Sequence, residues 1–442
     1  RNSAIPMNSI ATPKRIEAGA PSLALSGSRL ATLLAAVILT LLLVSFKPLN
    51  PGDGPQDGGG DLVNQLGYGS LGLLAIACLL LFSDPRRLIA LASPWWGLLL
   101  GFFALSILHA TDPAAAARAA SFSIIILLGL VATLSMPHSF DGLSAAVKCA
   151  ALAVLGLSYA GLVLMPDAAI HGAGGYEAQH AGMWRGIYAH KNIAGPVMAC
   201  LAYAGLWLWR RGERKAGAAI VLAAVVFVLN TGSKTTVGLI PAAMLLVIVP
   251  NLVGMRRMVI AGYLVSLCAF GLATLGIVYI DTLKHLAHAV VPDLTYTGRT
   301  TLWAFGGEMI AKKPWTGYGY ASFWGTDFLA GQDLAFDADW DFRGIVHGHD
   351  GYMDIAIAMG LPALVAAIIV FNIAPLFDYM RVPRLKDSVL FADFLMMVLL
   401  FTSLNAFVET FFFHRQDPVW VLVIFATLGL RMTARAVLPS KG

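Results

Sequence analysis

Three short segments between long apolar runs carry cations and imidazoles: RGIYAHKNIAG (185–195), TGRTT (297–301) and HGHDGYMD (347–354). Their candidate side chains are Arg185, His190, Lys191, Arg299, His347, His349 and Asp350. A guanidinium binds phosphate oxygens through a planar fork of donors. A neutral imidazole, whose ordinary pKa is about 6.5, can accept a proton from a hydroxyl group. These residue types therefore predict a site that holds an anion beside a general base.

The composition restricts the class of protein that must position these residues. The chain has 442 residues, of which 58% are hydrophobic and only 12% are charged, whereas soluble domains carry about 25% charged residues. This balance is typical of a protein that crosses a membrane several times, and we expect no nucleic-acid partner.

Long apolar segments predict the helices, because about 20 apolar residues cover the hydrocarbon of a bilayer in helical form. We predict about twelve transmembrane helices, at 30–46, 66–82, 94–108, 119–135, 145–165, 192–209, 216–230, 235–250, 257–280, 352–377, 388–408 and 417–434. This divides the chain into a polar tail (1–28) before a retained first span, nine helices (29–280), a large loop (281–351), three helices (352–434) and a second tail (435–442).

Lys and Arg predict the orientation of these helices, because short cytoplasmic loops are enriched in them. RRGERK (210–215), MRR (255–257) and RVPRLK (381–386) are such loops. The rule places both termini in the cytoplasm and the three candidate segments outside. Two more cations, Lys234 and Arg415, stand near helix mouths on the outer side. Each could be a solvated loop charge, but several together favour an outward-facing anion site.

The large outer loop at 281–351 has the composition of a binding element. It contains an amphipathic stretch (300–312) ended by Pro314, and then the aromatic, glycine-rich turn GYGYASFWG (317–325). Loops of this length in a compact fold are usually functional. Tyr318, Tyr320 and Trp324 could stack on sugars, although interfacial anchoring in the membrane is an equal alternative for each.

Taken together, these motifs resemble the O-antigen ligase and O-antigen polymerase superfamily, which includes exopolysaccharide polymerases of the succinoglycan type. The signature of that family is a His followed by Asn or Ser, nine residues, Gly, two residues and Gly. Here His349 and Asp350 precede nine residues and Gly360, and Ala363 replaces the second Gly. RGIYAHKNIAG is similar to the Arg–Gly–aromatic–x–His–Lys–Asn block of the polymerases, and SKTT (233–236) to a basic block between central spans.

The resemblance implies an all-α integral membrane protein, GT-C-like, in a bacterial inner membrane with a periplasmic active site. It implies an enzyme that transfers a glycan from undecaprenyl pyrophosphate to the hydroxyl of an acceptor in one inverting displacement. His349 would be the base, and Arg185 and Arg299 would hold the pyrophosphate. The expected supporting contacts to pyrophosphate or glycan are Lys191, Lys234, Arg415, His347, Asp350, His190, Tyr318, Tyr320 and Trp324.

Several functions fit this resemblance. Growth of an exopolysaccharide or O-antigen chain from lipid-linked repeats is our first interpretation. An O-antigen ligase that joins the glycan to lipid A-core is the second, and a protein O-oligosaccharyltransferase is a third. A lipid-linked sugar transporter or flippase is the alternative from another class, but no internal repeat is visible. The expected partners are the lipid-linked donor, the glycan or lipid A-core acceptor, membrane lipid and a chain-length regulator.

We expect no cofactor and no metal. DADWD (337–341) could hold a divalent cation under a diphosphate, but acidic residues in a loop are usually solvated. His347, His349 and Asp350 lack the helical i, i+4 spacing of a zinc motif. TGSKTT (231–236) looks like the end of a nucleotide-binding loop but lacks the glycines that such a loop requires upstream.

Overall fold

The computed structural model describes residues 22–50, 61–174, 178–291, 294–332 and 340–439. In this part of the chain every regular element is helical, and one isolated β-bridge joins Ile170 to Trp184. The prediction of an all-α membrane protein is therefore confirmed.

The described residues form twenty α-helices. They are α1 (Ser22–Val44), α2 (Leu62–Phe82), α3 (Pro85–Leu91), α4 (Pro94–Leu108), α5 (Pro113–Ser135), α6 (Phe140–Leu164), α7 (Pro166–Ala169), α8 (Lys191–Arg211), α9 (Arg214–Asn230), α10 (Lys234–Leu252), α11 (Arg256–Gly271), α12 (Ile277–Tyr279), α13 (Asp281–Val290), α14 (Arg299–Lys312), α15 (Asp327–Ala330), α16 (Gly351–Met359), α17 (Leu361–Ile368), α18 (Ala374–Arg381), α19 (Lys386–Asn405) and α20 (Pro418–Arg435). A 3-10 turn spans Ala178–His180, and π-helical turns span Leu272–Gly276 and Ile369–Ile373.

Ten of the helical runs in the described residues are long and apolar enough to cross a membrane. The bent pair α3 and α4, whose axes differ by 66°, would make eleven. The predicted seventh span corresponds to α9, which has only 17 residues. The predicted number of twelve transmembrane helices therefore stays a prediction. The apolar segments that were predicted to form them are helical.

Local sequence signals explain where many helices begin. Asp84, Asp112 and Asp417 each accept a backbone N–H in the first turn of the following helix, and proline occupies the first helical position after each of them. A side-chain acceptor satisfies an N–H that has no partner within the helix, and proline has no N–H to satisfy. These caps fix the helix starts.

The predicted tenth span is not one continuous helix. It breaks at Gly360, which has a φ of +85° and separates α16 from α17. An added Cβ here would collide with the backbone of Trp315, and the N–H of Leu361 donates to the Pro314 carbonyl at 2.7 Å. The loop after α14 therefore packs into the break, which attaches the outer loop segment to the helix bundle.

Helices α8, α19 and α20 form the buried centre of the bundle. The amino end of α8, the carboxyl end of α19 and the amino end of α20 lie at the same end of the bundle, because Asn192 in α8 contacts Glu409 in the loop between α19 and α20. The loop that connects α19 to α20 at this end has 12 residues. The candidate site lies at this end.

The opposite end of the bundle carries paired cations. Arg210 contacts Asp393 at 2.9 Å, Arg211 contacts Asp141 and Asp387 at 3.0 Å, and Arg435 contacts Asp378 at 3.2 Å. These arginines come from the loops and helix ends that the positive-inside rule assigns to the cytoplasm. The orientation itself stays a prediction.

Candidate active site

Glu409 is the centre of a polar cluster built from four elements. Its Oε1 accepts hydrogen bonds from Arg299 Nη2 and from Asn192 Nδ2, both at 2.9 Å. Its Oε2 lies 3.5 Å from Nδ1 of His349. The cluster thus joins the amino ends of α8 and α14, the turn before α16 and the loop after α19.

Arg299 and His349 were predicted to act together, and they share this one carboxylate. Arg299 also donates from Nη1 to the Val408 carbonyl at 2.5 Å, so its guanidinium is fixed from two directions. Nδ1 of His349 is buried, and its alignment with Glu409 falls short of a hydrogen bond. Catalytic hydrogen bonds are often long before substrate binds, so the contact is suited to orienting the imidazole.

The turn that carries His347 and His349 is rigidly held. The Gly348 N–H donates to both carboxylate oxygens of Asp354, at 3.2 and 3.1 Å, and its carbonyl accepts from Trp303 Nε1 at 3.1 Å. His349 has a φ of +51°, a left-handed conformation that side chains other than glycine rarely adopt. Such backbone strain persists only where the surroundings enforce it, and it is concentrated at functional sites.

Asp354 connects this turn to two other loops. It also accepts hydrogen bonds from Trp324 Nε1 and from Thr410 Oγ1, both at 2.7 Å. One carboxylate therefore fixes the position of the histidine turn relative to the outer loop and to the segment that carries Glu409.

The electrostatic environment keeps Glu409 ionised and its neighbour His347 neutral. Burial favours the protonated form of Glu409, but the His349 and Arg299 groups outweigh it and lower the pKa of Glu409 to about 2. Burial and the nearby His349 lower the pKa of His347 to about 3. The two imidazole rings lie 4.1 Å apart, nearly perpendicular to each other. The carboxylate is thus available to stabilise a positive charge on His349.

Asp350 begins α16 as its N-cap. Its Oδ1 accepts the N–H of Met353 at 2.9 Å, and the residue is fully buried. Burial raises the pKa of Asp350 well above its ordinary value, and the bond from Met353 opposes this only in part. These contacts give Asp350 a structural task, and its predicted contact with substrate stays a prediction.

Arg185 is buried and donates to backbone carbonyls. Its Nε, Nη1 and Nη2 atoms donate to Ala168, Ala189 and Asp167, at distances of 3.1 to 3.3 Å. Only 5% of its surface is exposed. Arg185 therefore ties helix α7 to the loop before α8, and its predicted contact with pyrophosphate stays a prediction.

His190 and Lys191 form the start of α8. Nδ1 of His190 accepts the N–H of Asn192 at 3.0 Å, which makes His190 the N-cap, and Lys191 is largely buried. His171 and His180 surround His190, with ring centroids 4.9 and 5.4 Å from it. Burial and His171 lower the pKa of His190 to about 3. His190 therefore stays neutral and positions Asn192 toward Glu409.

Lys234 and Arg415 are the exposed cations near this end of the bundle. Lys234 is the first residue of α10, and Arg415 precedes α20 by three residues. Neither side chain has a hydrogen bond or an ion pair within the described ranges. Their charges are therefore available to an anion from outside the chain.

The three aromatic side chains that were predicted to stack on sugars make hydrogen bonds within the protein. Tyr318 and Tyr320 are buried, and their hydroxyls donate to the carbonyls of Met309 at 3.1 Å and Phe413 at 2.7 Å. Trp324 is half-buried and donates to Asp354. These contacts support a packing role for the tyrosines, and stacking on sugars stays a prediction for all three.

No group of three His, Cys, Asp or Glu side chains that could hold a metal occurs in the part of the chain that the structure describes. Within DADWD, Asp341 is paired with Arg343 at 2.7 Å, while residues 337–339 lie outside the described residues.

Glu409 and Asn192 are the functional candidates that the sequence reasoning missed. A signal for Glu409 does exist, because it is the only acidic residue between Asp393 and Asp417 and stands in an otherwise apolar segment, NAFVETFFF. An isolated acidic residue in a predicted outer loop, on the same side as several cations, indicates an ion pair with one of them.

The fold and this cluster define a multi-pass, all-α membrane protein with a buried His–Glu–Arg constellation at one end of its helix bundle. Residues 218–368 match a family model described as O-antigen ligase. The match confirms the predicted resemblance to the O-antigen ligase and polymerase superfamily and supports a membrane glycosyltransferase of that type. It includes Arg299 and His349 but ends before Glu409. No curated protein matches the chain.

Proposed function

We propose that the protein transfers a glycan from undecaprenyl pyrophosphate to a hydroxyl of an acceptor sugar, at the periplasmic face of a bacterial inner membrane. The observation that carries this proposal is the shared contact of Arg299 and His349 with Glu409. It combines a base, the group that orients the base and a cation within one cluster, which is the arrangement that general-base attack beside an anionic leaving group requires.

His349 acts as the base in this mechanism. The Nδ1 side of the ring faces Glu409, while Nε2 has no hydrogen-bond partner in the described part of the chain. Nε2 removes the proton of the acceptor hydroxyl as its oxygen bonds to the anomeric carbon. The bond from that carbon to the pyrophosphate oxygen breaks, and its electron pair leaves with the pyrophosphate. One displacement of this kind inverts the anomeric configuration.

Glu409 stabilises the imidazolium that forms. Its pKa of about 2 keeps it charged at every pH at which the enzyme works. A carboxylate on the far side of a catalytic imidazole fixes its tautomer and stabilises its positive charge. Glu409 is therefore a positioning residue for His349.

The cations hold the leaving group. Arg299 uses two donors on Glu409 and Val408, which leaves its other N–H groups for phosphate oxygens. Lys234 and Arg415 supply further exposed charge. Preorganised donors of this kind contribute about 3 kcal/mol each to stabilising the transition state. Arg185 and Lys191 remain candidates for the same task, and the enzyme needs no metal.

The acceptor decides between two forms of this reaction. An exopolysaccharide or O-antigen polymerase adds the glycan to another lipid-linked glycan, and the block RGIYAHKN favours this form. An O-antigen ligase adds it to lipid A-core, and the description of the matched family favours that form.

The test is glycan transfer by purified protein in nanodiscs, with an undecaprenyl-pyrophosphate glycan as donor and no ion gradient. We expect a new glycosidic bond, loss of transfer in His349→Ala and Arg299→Ala, and normal transfer in His285→Ala, which removes an exposed histidine of α13. Supplying a lipid-linked glycan or lipid A-core as acceptor distinguishes polymerase from ligase. Absence of any new bond in either reaction, while the same protein moves the lipid between leaflets, would establish the transporter alternative.

A further inference from the structure

A second candidate site lies at the end of the bundle opposite Glu409. A cavity of about 600 Å³ opens there between α4, α18 and α20, and its cationic wall consists of Arg381, Arg431 and Arg435. The 17 steps of α20 from Pro418 to Arg435 correspond to about 25 Å at 1.5 Å per residue. The cavity is therefore on the other side of the membrane from the cluster at Glu409.

Two interruptions of regular helix shape this cavity. The 66° bend between α3 and α4 places Pro94 and Trp95 on its wall. The π-helical turn between α17 and α18 contributes both of its end residues, Ile369 and Ile373. Single π-turns occur frequently at functional sites, because the widened turn reshapes the helix surface. The helix bend and the π-helical turn therefore both contribute residues to the wall of this cavity.

The charges in the cavity are unbalanced. Among the described residues, Asp378 is the one acidic residue on its wall, and it contacts Arg435 at 3.2 Å and Arg431 at 3.9 Å. Arg431 also donates from Nε to the carbonyls of Ala92 and Leu91. Arg381 is exposed and makes no hydrogen bond or ion pair with any residue that the structure describes. Three guanidinium groups thus face one carboxylate.

The remaining wall is apolar and open to the surroundings of the bundle. Trp95 and Phe377 are 44% and 62% exposed. A tryptophan beside arginines at a helix end is typical of the membrane interface. An inorganic phosphate would satisfy the guanidinium groups but would leave these aromatic and aliphatic side chains uncovered. A lipid with a net negative head group satisfies both.

We propose that this cavity binds an anionic phospholipid of the bilayer, with its phosphate on the arginines and part of one acyl chain along Trp95 and Phe377. Basic pockets between transmembrane helices recognise anionic head groups in this manner. A zwitterionic lipid carries an ammonium group that would face Arg381, so it should bind more weakly.

Tryptophan quenching by brominated acyl chains tests this proposal with the full chain in nanodiscs. Brominated phosphatidylglycerol or brominated phosphatidylcholine is added at equal mole fraction, and the signal of Trp95 is the difference between the protein and Trp95→Phe. We expect phosphatidylglycerol to quench Trp95 at lower mole fraction. Arg381→Gln should weaken this preference about fivefold, because one arginine at a lipid surface contributes roughly that factor.

Arg257→Gln is the matched control, since it removes an exposed cation from the same end of the bundle, at the start of α11 and outside the cavity. It should keep the preference. Equal quenching by the two lipids would overturn the proposal, as would an equal effect of both arginine variants, which would indicate general surface charge. Loss of the preference in inorganic phosphate, but not in chloride at the same ionic strength, would assign the site to free phosphate instead.

Discussion

Replacing Glu409 by glutamine tests the central contact of the proposed mechanism. Gln keeps the size of the side chain, and its carbonyl can still accept from Arg299 and Asn192. Its amide N–H₂ then faces Nδ1 of His349 and donates to it. The neutral imidazole then carries its proton on Nε2. A protonated Nε2 cannot accept the proton of the acceptor hydroxyl. Glu409→Gln should therefore fold but lose both the charge and the correct tautomer.

The size of the effect follows from the geometry. A carboxylate and an imidazolium 3.5 Å apart attract each other by about 5 kcal/mol at an effective dielectric constant of about 20. The side chains are 22% and 17% exposed, so solvent reduces this value. We expect kcat/KM to fall by about 10² to 10³, which lies within the usual range for general-base catalysis.

The assay is the rate of glycan transfer over a range of donor concentrations, with thermal unfolding measured on the same preparations. The loss in Glu409→Gln should appear mainly in kcat, because the variant impairs proton transfer to His349 more than binding of the donor. A purely structural role would lower the unfolding temperature instead.

Two further variants separate charge from packing. Glu409→Asp keeps the charge and should retain more activity than Glu409→Gln. Asn192→Ala removes only one donor to Oε1 and should cost about tenfold, because a hydrogen bond to a charged group contributes about 1.5 kcal/mol or somewhat more. If Glu409→Gln were folded and transferred glycan within about threefold of the original rate, or if its loss lay only in KM, Glu409 would not orient the base.

Gly348, His347 and Glu409 of the same cluster, and the metal-independent mechanism, each lead to a testable prediction. Gly348→Ala should unfold at lower temperature and lose activity, because an added Cβ would collide with the Asp354 carboxylate, and such overpacking costs about 1 to 3 kcal/mol; unchanged unfolding would show that the turn can move. His347 has a pKa of about 3 in the folded protein, so the unfolded chain binds its proton first, and stability should fall as the pH decreases from about 6.5. His347→Asn should reduce this slope by up to about 1.4 kcal/mol per pH unit, and a slope equal to that of the unaltered protein would contradict the assignment. The charge of Glu409 instead stabilises the fold above its ordinary pKa of 4.5, and this contribution disappears only as the pH falls toward 2. Treatment with EDTA should leave transfer unchanged, and a loss that Mg²⁺ restores would contradict the metal-independent mechanism.

Helices were the part of the structure that the sequence predicted best. Apolar length and caps such as Asp112 and Asp417 are local signals, and the helices begin where these signals stand. The break at Gly360 was not predicted, because it depends on the backbone of Trp315 packing against it. Contacts between segments far apart in the chain determine such a break, and hydropathy contains no information about them.

The sequence predicts the types of residue at the site better than the role of each residue. Arg185 and Arg299 have the same side chain and both precede a helix or stand at its start, so the sequence gives them equal weight. The structure separates them: Arg185 faces three carbonyls, while Arg299 faces Glu409. The tertiary structure determines which hydrogen-bond acceptors lie around a guanidinium group, and the local sequence does not. The same holds for Tyr318 and Tyr320, whose hydroxyls donate to backbone carbonyls.

Cations without partners among the described residues support an anion site at the end of the bundle with Glu409. Around Glu409 the single carboxylate is already shared by Arg299, Asn192 and His349, and exposed Lys234 and Arg415 gain nothing from it. An anion that joins these exposed cations would be stabilised by their charge. A pyrophosphate at the membrane surface has the charge to do so, and this is the physical reason to expect cations on the side where the positive-inside rule disfavours them.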